Sequence, residues 1–174
     1  MNIKIEKCKR GDEVVAGRIY DKVTKRLTET VNYPRWTYKV YPSTEYAAAM
    51  IARGCLYMAY SDGEAVAAFV LNDDPSGNYA KVGWGMEIAE GEYLVIHAFA
   101  IDTDHQRLGI GRRIVEFCIA IARENGYKAI RLDTVTDNYP AKALYERCGF
   151  KCFGDYDLDR NIGIPSFTMY EYLL

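Results

Sequence analysis

Residues 101–113 decide the fold class of this chain: they read Ile101-Asp102-Thr103-Asp104-His105-Gln106-Arg107-Leu108-Gly109-Ile110-Gly111-Arg112-Arg113. The nearly all-apolar run Tyr93–Ile101 leads into this segment, and Gly111–Asn125 continues from it with apolar residues on one helical face. The two patterns predict a buried strand and an amphipathic helix. Glycines let a backbone approach a ligand closely, and free N–H groups at a helix start attract anions. The glycine loop between strand and helix, Gln106–Gly111, therefore predicts a phosphate or pyrophosphate site.

The kind of phosphate site can be narrowed by elimination. A Walker A loop needs Gly-Lys-Ser/Thr, whereas Arg112 and Arg113 follow Gly111. A Rossmann fingerprint needs a third glycine, where this chain has Ile114. Neither motif fits. A strand-to-helix turn that binds nothing stays open as an alternative at this point.

Outward from this segment, the chain predicts one α/β domain over residues 1–174. The later half alternates strands and helices, which favours a sheet covered by helices, and no linker-like stretch interrupts the sequence. Further strands are predicted at 3–8, 55–60, 65–71, 128–134, 151–156 and 167–174, and further helices at 12–30, 43–53 and 140–147.

Composition limits the classes of function. The 174 residues carry a formal net charge of −2, which argues against a nucleic-acid partner. No apolar run approaches the roughly 20 residues of a membrane helix, and the N-terminus does not resemble a signal peptide. The five cysteines include one close pair, Cys148 and Cys152, and no zinc motif. We therefore expect a cytoplasmic protein without a metal and with reduced thiols, all but Cys8 in apolar surroundings.

Two blocks of sequence resemble the GNAT superfamily of N-acyltransferases. The glycine loop resembles the family motif Gln/Arg-x-x-Gly-x-Gly/Ala, which holds the pyrophosphate of coenzyme A. Leu132–Asn138 followed by Ala141–Phe150 resembles the downstream block, a strand, an asparagine turn and a helix with Ala-x-x-Leu-Tyr-x-x-x-Gly-Phe. The resemblance covers residues 93–156. It implies a mixed, mostly antiparallel sheet of six to seven strands with about four helices, and a splayed central pair of parallel strands.

The same resemblance implies acetyl-CoA as the co-substrate and assigns residues to it. The backbone of Phe99, Ala100 and Ile101 would bond the pantetheine arm as an added strand would; a fully paired core strand is the alternative. Asn138 would also bond the arm, or it would only cap the following helix. The other implied cofactor contacts are Gln106, Arg107, Leu108, Gly109, Ile110, Gly111, Arg112 and Lys142.

For catalysis, the resemblance implies direct attack by an amine, with Tyr145 as the acid that protonates the leaving thiolate. His97, two residues before Phe99 and expected on the same face of the strand, matches a histidine that works through water in arylalkylamine N-acetyltransferases. A buried core histidine is the alternative. Asp133 is the second candidate base, although it could simply pair with Arg131.

The acceptor amine is the least determined part of the interpretation. Tyr33, Trp36 and Trp84 lie where the family places acceptor contacts, and aromatic rings can hold an ammonium by cation–π attraction; a lid packed on the core is the alternative. A small-molecule or peptide amine is expected. A catalytically inactive acyl-CoA sensor and a protein that binds another phosphate ligand remain alternatives. The apolar pattern of Phe167–Leu174 suggests a homodimer formed through a sheet edge.

Overall fold

The computed structural model describes residues 2–174, and the elements follow the predicted order. Every predicted helix and strand is present to within a few residues. The helices are α1 (Glu13–Glu29), α2 (Thr44–Ala52), α3 (Ile110–Glu124) and α4 (Tyr139–Arg147). The strands are β1 (Ile3–Lys7), β2 (Leu56–Ser61), β3 (Glu64–Asn72), β4 (Tyr93–Ile101), β5 (Ala129–Val135), β6 (Lys151–Tyr156) and β7 (Phe167–Leu173).

The strands form one seven-stranded sheet in the order β1-β2-β3-β4-β5-β7-β6. The β1–β2, β2–β3, β5–β7 and β6–β7 pairs are antiparallel, and β4 pairs with β5 in parallel. This topology confirms the predicted fold class. It also corrects one premise: β7 lies between β5 and β6 and is not an edge strand, so it offers no free edge for the expected homodimer.

The parallel pair has the geometry of two strands that part. The ladder pairs Tyr93 with Ala129 and ends by pairing Val95 with Arg131, whereas β4 continues to Ile101. Ala98, inside β4, has a positive φ of 44°, which is uncommon for a residue with a side chain. Burial still alternates along this part of β4, since Ala98 and Ala100 are buried whereas His97, Phe99 and Ile101 are half-buried. The placement of His97 and Phe99 on the same face of the strand stays a prediction.

The chain divides into two compact units, each with its own apolar core. The first unit comprises the chain up to Asn32, Trp36–Leu71 and His97–Phe117, and the second comprises Tyr33–Arg35, Asn72–Ile96 and Cys118–Leu174. The expectation of a single domain over 1–174 stays a prediction.

In the first unit, α1 and α2 pack closely over the apolar residues of β2 and β3. A Cβ added to Gly17 on α1 would lie 2.0 Å from Oγ1 of Thr44 on α2, so the two helices can approach this closely only with glycine at that position. The buried core of this unit contains Cys8, Ala16, Ile19, Tyr20, Val23, Ala47, Cys55, Leu56, Met58, Ala68, Val70, Ala98 and Ala100.

In the second unit, the segments before β4 and after β6 cover one face of β5 and β7. The buried core there contains Tyr79, Val82, Ile88, Tyr93, Val95, Ala129, Val135, Leu158, Phe167 and Met169. Trp84, Phe153, Tyr156 and Ile164 pack against it and are partly buried.

The cysteines are free, but their burial differs from the prediction. Cys8 is buried although its sequence neighbours are polar, because β1 brings it against the first core. Cys152 is exposed because it lies on the edge strand β6, and Cys148 is half-buried at the end of α4. Within residues 2–174, none of the helices has the length and apolar character needed to cross a membrane.

Candidate active site

The corner that leads from β4 into the glycine loop is held by several hydrogen bonds of the first unit. The N–H of Asp102 donates to the carbonyl of Val66 on β3 at 2.8 Å. Its carboxylate accepts from the N–H of Asp104 at 2.9 Å and begins a short 3-10 helix, Thr103–His105. Asp102 itself is buried. Hydrogen bonds of Asp102 therefore fix the position at which the chain leaves β4 for the glycine loop.

The first four residues of the glycine loop, Gln106–Gly109, are exposed to solvent. Arg107 and Gly109 both have positive φ, at 63° and 79°. A Cβ added to Gly109 would meet no atom within 4 Å. Glycine is therefore favoured here by its backbone conformation and not by crowding, and space remains beside it. The side chain of Gln106 donates back to the carbonyl of Ile101 at 3.4 Å.

Helix α3 begins where the loop ends. Ile110 and Gly111 are buried, so they anchor the helix start, whereas Arg112 is exposed and pairs with Glu116 at 2.8 Å one turn later. A helix of 15 residues presents free N–H groups and the positive end of its dipole at this terminus. An exposed loop before such a terminus can accept a phosphate or pyrophosphate group.

The predicted pantetheine strand, Phe99–Ile101, lies directly after the positive φ of Ala98. Ala100 is buried in the first core, and Phe99 packs against Phe69 with ring centres 5.9 Å apart. The side chains of this stretch thus belong to the core. Its backbone is the part that could bind an extended ligand.

Helix α4, in the second unit, carries three of the predicted residues on one face. Asn138, Lys142 and Tyr145 are spaced by four and three residues, which places them on successive turns. The side-chain oxygen of Asn138 accepts from the N–H of Ala141 at 3.4 Å, so Asn138 caps α4, and its contact with the cofactor stays a prediction. Lys142 donates to the carbonyl of Thr136 at 3.3 Å.

Tyr145 is buried, with 6% of its surface exposed. Its ring packs against Phe150 at 5.7 Å and Tyr170 at 5.8 Å between ring centres. Burial, and then the negative charge of Asp133, raise the pKa of Tyr145 above its ordinary value. The phenol therefore keeps its proton across the physiological range, which is the state a proton donor requires.

Asp133 is part of a buried network, and its ionic partner is Arg160 and not Arg131, which the sequence had offered as the alternative to a catalytic role. Its Oδ2 accepts from Arg160 at 2.9 Å, and its Oδ1 accepts from the hydroxyl of Tyr79 at 2.6 Å and also from Arg160. The guanidinium of Arg160 lies 4.3 Å from the ring centre of Phe167. Both oxygens of this carboxylate are therefore engaged by groups of the chain itself.

Arg131 pairs with Glu171, directly opposite on β7, at 2.8 Å. Its guanidinium lies 4.3 Å from the ring centre of Trp84 and 4.5 Å from that of Tyr93. Trp84, predicted to hold a substrate ammonium, contacts this internal cation, and its role toward the acceptor stays a prediction. Tyr79, Arg131, Asp133, Arg160 and Glu171 form what we call the polar core of the second unit.

The other two predicted acceptor residues have separate surroundings. Tyr33 packs edge-to-face on exposed Tyr139 with ring centres 6.1 Å apart, and the neighbouring Arg35 reaches Asp137 at 3.2 Å. Trp36, in the first unit, exchanges two hydrogen bonds with Asn32 and packs against the core there.

The sequence is matched by the model of the Acetyltransferase (GNAT) family over residues 22–150. The chain belongs to the GNAT acetyltransferase family. A rat GNAT relative, N-acetyltransferase family 8 member 2, is 28% identical over 122 residues, covering 67% of this chain and 48% of its own length. Human N-acetyltransferase 8 is 37% identical over 67 residues, covering 38% of this chain and 29% of its own. This chain thus spans less than half the length of these relatives.

Solved GNAT structures share the fold over nearly the whole chain. An acetyltransferase of the family from Streptococcus agalactiae superposes with a TM-score of 0.80 at 15% identity, covering 99% of this chain and 95% of that one. The yncA protein of Salmonella typhimurium, solved with its cofactor acetyl-CoA, superposes with a TM-score of 0.69 at 16% identity, covering 99% and 94%. At this identity the likeness establishes the fold.

Three residues that contact Asp102 or Asp133 were not predicted from the sequence: Lys22, Tyr79 and Arg160. Lys22 contacts Asp102, which lies 80 positions away, and Tyr79 and Arg160 reach Asp133 across 54 and 27 positions. No local pattern in a single sequence marks such partners, because they are set by the sheet topology. In the described part of the chain, residues 2–174, no group of three or more metal-ligating side chains is found.

Proposed function

We propose that this chain transfers the acetyl group of acetyl-CoA to a primary amine by direct attack of the amine on the thioester. The observation that carries the proposal is the exposed loop Gln106–Gly109, with positive φ at Arg107 and Gly109, immediately before the N-terminus of α3. Membership of the GNAT family and the acetyl-CoA bound to yncA support the same donor.

On the donor side, the N–H groups of the glycine loop bind the pyrophosphate, and the charges of Arg107 and Arg112 favour it. The backbone of Phe99–Ile101 binds the pantetheine arm by strand-like hydrogen bonds. Asn138 and Lys142 contribute further polar contacts to the cofactor. The conformation at Ala98 supports this assignment, because a positive φ departs from regular strand geometry and re-aims the neighbouring backbone groups.

In the reaction, the neutral amine forms a bond to the thioester carbonyl carbon, and the carbon–sulfur bond breaks. Tyr145 supplies the proton that the leaving thiolate takes up, and its buried phenol is protonated beforehand. Before the attack, the ammonium form of the amine loses a proton to a base, for which His97 is the candidate we favour, and the proton that the nitrogen releases as the amide forms returns Tyr145 to its protonated state. Asp133 is a weaker candidate, because Arg160 and Tyr79 already engage both of its oxygens.

On the acceptor side, we expect a small-molecule or peptide amine. Tyr33 and Trp36 remain candidate contacts, whereas Trp84 supports Arg131 and contributes less directly. A cytoplasmic location, a homodimer, and the lack of nucleic-acid or membrane partners stay predictions from the sequence.

Thermal unfolding with acetyl-CoA, free coenzyme A and ATP tests the donor. A ligand at 100 times its Kd stabilises a folded protein by about 2.7 kcal/mol. We expect a shift with acetyl-CoA and with coenzyme A, and none with ATP. A chain that shifts with ATP alone, or with none of the three, would contradict the assignment of the glycine loop.

Tyr145→Phe tests the chemistry once an amine is found by measuring thiol release. Loss of the proton donor should lower kcat about 100-fold, while the Kd for acetyl-CoA stays unchanged. Tyr170→Phe is the matched control, since it removes a neighbouring hydroxyl, bonded to Glu146 at 2.8 Å, and keeps both rings. Equal losses in the two variants would remove Tyr145 from the mechanism. Acetyl-CoA binding without turnover of any amine would favour the sensor alternative.

A further inference from the structure

Lys22 on α1 bridges two carboxylates at the entrance to the glycine loop. Its ammonium lies 2.6 Å from Oδ1 of Asp102 and 2.7 Å from Oδ2 of Asp104. The side chain of Asp102 is 8% exposed, and those of Lys22 and Asp104 are 42% and 73% exposed. The partly exposed ammonium of Lys22 thus forms ion pairs with both the buried carboxylate of Asp102 and the exposed carboxylate of Asp104.

Asp102 determines where the glycine loop begins. Its N–H is fixed to β3, its side chain holds the N–H of Asp104, and its carbonyl accepts from the N–H of His105 at 2.9 Å. A buried carboxylate without a counter-charge is strongly unfavourable. Lys22 supplies that charge and joins the loop corner to α1.

Charge also matters here because the neighbouring loop is proposed to bind an anion. Asp102 and Asp104 would repel a pyrophosphate, and Lys22 offsets them. The pKa of Lys22 is raised by its hydrogen bonds to Asp102 and then Asp104, so the ammonium stays charged. The other ionisable groups at this corner are His105, with Nδ1 3.8 Å from Asp102 Oδ1, and Glu64, 3.9 Å from His105 Nε2.

We propose that Lys22 is a positioning residue for acyl-CoA binding: it holds Asp102 and Asp104 in place and offsets one of their two negative charges beside the glycine loop, without contacting the ligand. The proposal deepens the function proposed above and rests on it. It predicts a loss of cofactor affinity when Lys22 is replaced, with little change in turnover at saturating acetyl-CoA.

The experiment is isothermal titration of the full chain with acetyl-CoA, comparing Lys22→Met with Lys25→Met. Lys25 is exposed on the same helix, so its replacement changes the net charge equally. We expect the Kd to rise about fivefold for Lys22→Met and by less than twofold for Lys25→Met. Lys22→Arg should restore the Kd to within twofold, because a guanidinium can bridge both carboxylates.

Two further measurements separate this role from a general loss of structure. The difference between Lys22→Met and the wild-type chain should shrink as salt is raised, since exposed charges are screened. Asp104→Asn replaces an exposed side chain, so the fold is retained, and it should tighten acetyl-CoA binding about twofold in the wild-type background. It should also recover part of the loss in Lys22→Met.

The outcomes distinguish this inference from the function it builds on. Equal Kd values for Lys22→Met and the wild-type chain, or an equal rise for Lys25→Met, overturn the inference and leave the proposed donor intact. If Lys22→Met does not fold, unchanged or weaker binding by Asp104→Asn overturns the charge argument. A wild-type chain that does not bind acetyl-CoA overturns the proposed function and this inference together.

Discussion

The glycine loop of the first unit and the polar core of the second unit both concentrate charge, but they use it in opposite ways. Around the loop, Gln106–Gly109 are exposed, and the backbone is the proposed binding element. In the polar core, Arg131 and Glu171 are almost completely buried, and each charge has a partner within the chain. Exposed backbone N–H groups can bind a ligand, whereas buried charged side chains that are paired within the chain stabilise the fold.

The two arginines of the polar core show the second use clearly. Arg131 contacts Trp84 and Tyr93 and donates to the carbonyl of Met86 at 3.0 Å, in a segment without helix or strand. Arg160 contacts Phe167 and donates from Nε to the carbonyl of Ser76 at 2.7 Å. Each arginine thus ties an irregular covering segment to the sheet. Trp84 and Asp133, which were candidate site residues in the sequence, are among the side chains that these two arginines contact.

The strongest test of this difference is Glu171→Ala, which leaves the guanidinium of Arg131 buried without its carboxylate. Removing one partner of a buried pair destabilises a protein by about 3–5 kcal/mol. Chemical denaturation should show a loss of that size. The exposed pair of Arg26 and Glu29, with side chains 59% and 54% exposed, is the control. Glu29→Ala should change the free energy of unfolding by less than about 1 kcal/mol.

The double variant Arg131→Met with Glu171→Leu sharpens the same point. Replacing a buried pair by apolar side chains of similar volume is often neutral, so this variant should regain most of the stability lost by Glu171→Ala. If Glu171→Ala destabilised the protein no more than Glu29→Ala, the buried charges of the polar core would not hold the second unit together.

A smaller effect is expected at the glycine loop, where we propose that the backbone binds the cofactor. Gly109→Ala places a Cβ in open space but at a φ of 79°, which costs about 1–2 kcal/mol for a residue with a side chain. Strain at this position should shift the loop and weaken acetyl-CoA binding about tenfold, measured by titration.

Gly126→Ala is the matched control for the glycine loop. Gly126 has a φ of 76° and equally open space, but it follows the C-terminal end of α3. We expect a similar loss of stability in both variants and a loss of acetyl-CoA affinity only in Gly109→Ala. Equal affinities would mean that the conformation of the loop backbone is not important for the ligand.

The same contrast explains which parts could be predicted from the sequence. The apolar run of β4, the glycine loop and the amphipathic α3 are neighbours along the chain, so periodicity and glycine spacing were sufficient to predict them. The helix cap at Asn138, one of two alternatives from the sequence, could be named for the same reason. These features depend on local backbone chemistry, which a single sequence contains.

The partners of charged side chains could not be predicted, because they depend on strand order. A pair between Arg131 and Asp133, two residues apart on the same strand, was one alternative from the sequence, yet the strand opposite brings Glu171 to Arg131. Phe167–Leu174 was expected at a sheet edge, and β7 instead lies inside the sheet. Cys152 was expected in the core and is exposed on the edge strand β6. In each case the secondary structure of the segment was predicted correctly, whereas the strand or side chain that lies next to it in the fold could not be predicted.

The smallest expected effect concerns the buried thiols, which are present in both units and which burial keeps in the neutral form. Burial, and then the charge of Asp12, raise the pKa of Cys8 in the first unit from 9.0 to about 12, and burial alone raises the pKa of Cys118 in the second. Because both values are higher in the folded chain than in the unfolded chain, the stabilising effect is complete below pH 9. It is lost as the pH rises above 9, by at most about 1.4 kcal/mol per pH unit for each thiol.

The free energy of unfolding, measured by denaturation between pH 8 and 10, should therefore fall less steeply in Cys8→Ala and in Cys118→Ala than in the wild-type chain. Cys152→Ala, at an exposed position, should keep the wild-type slope. If the slope changed in only one of the two buried variants, the interiors of the two units would differ in more than the placement of their charges.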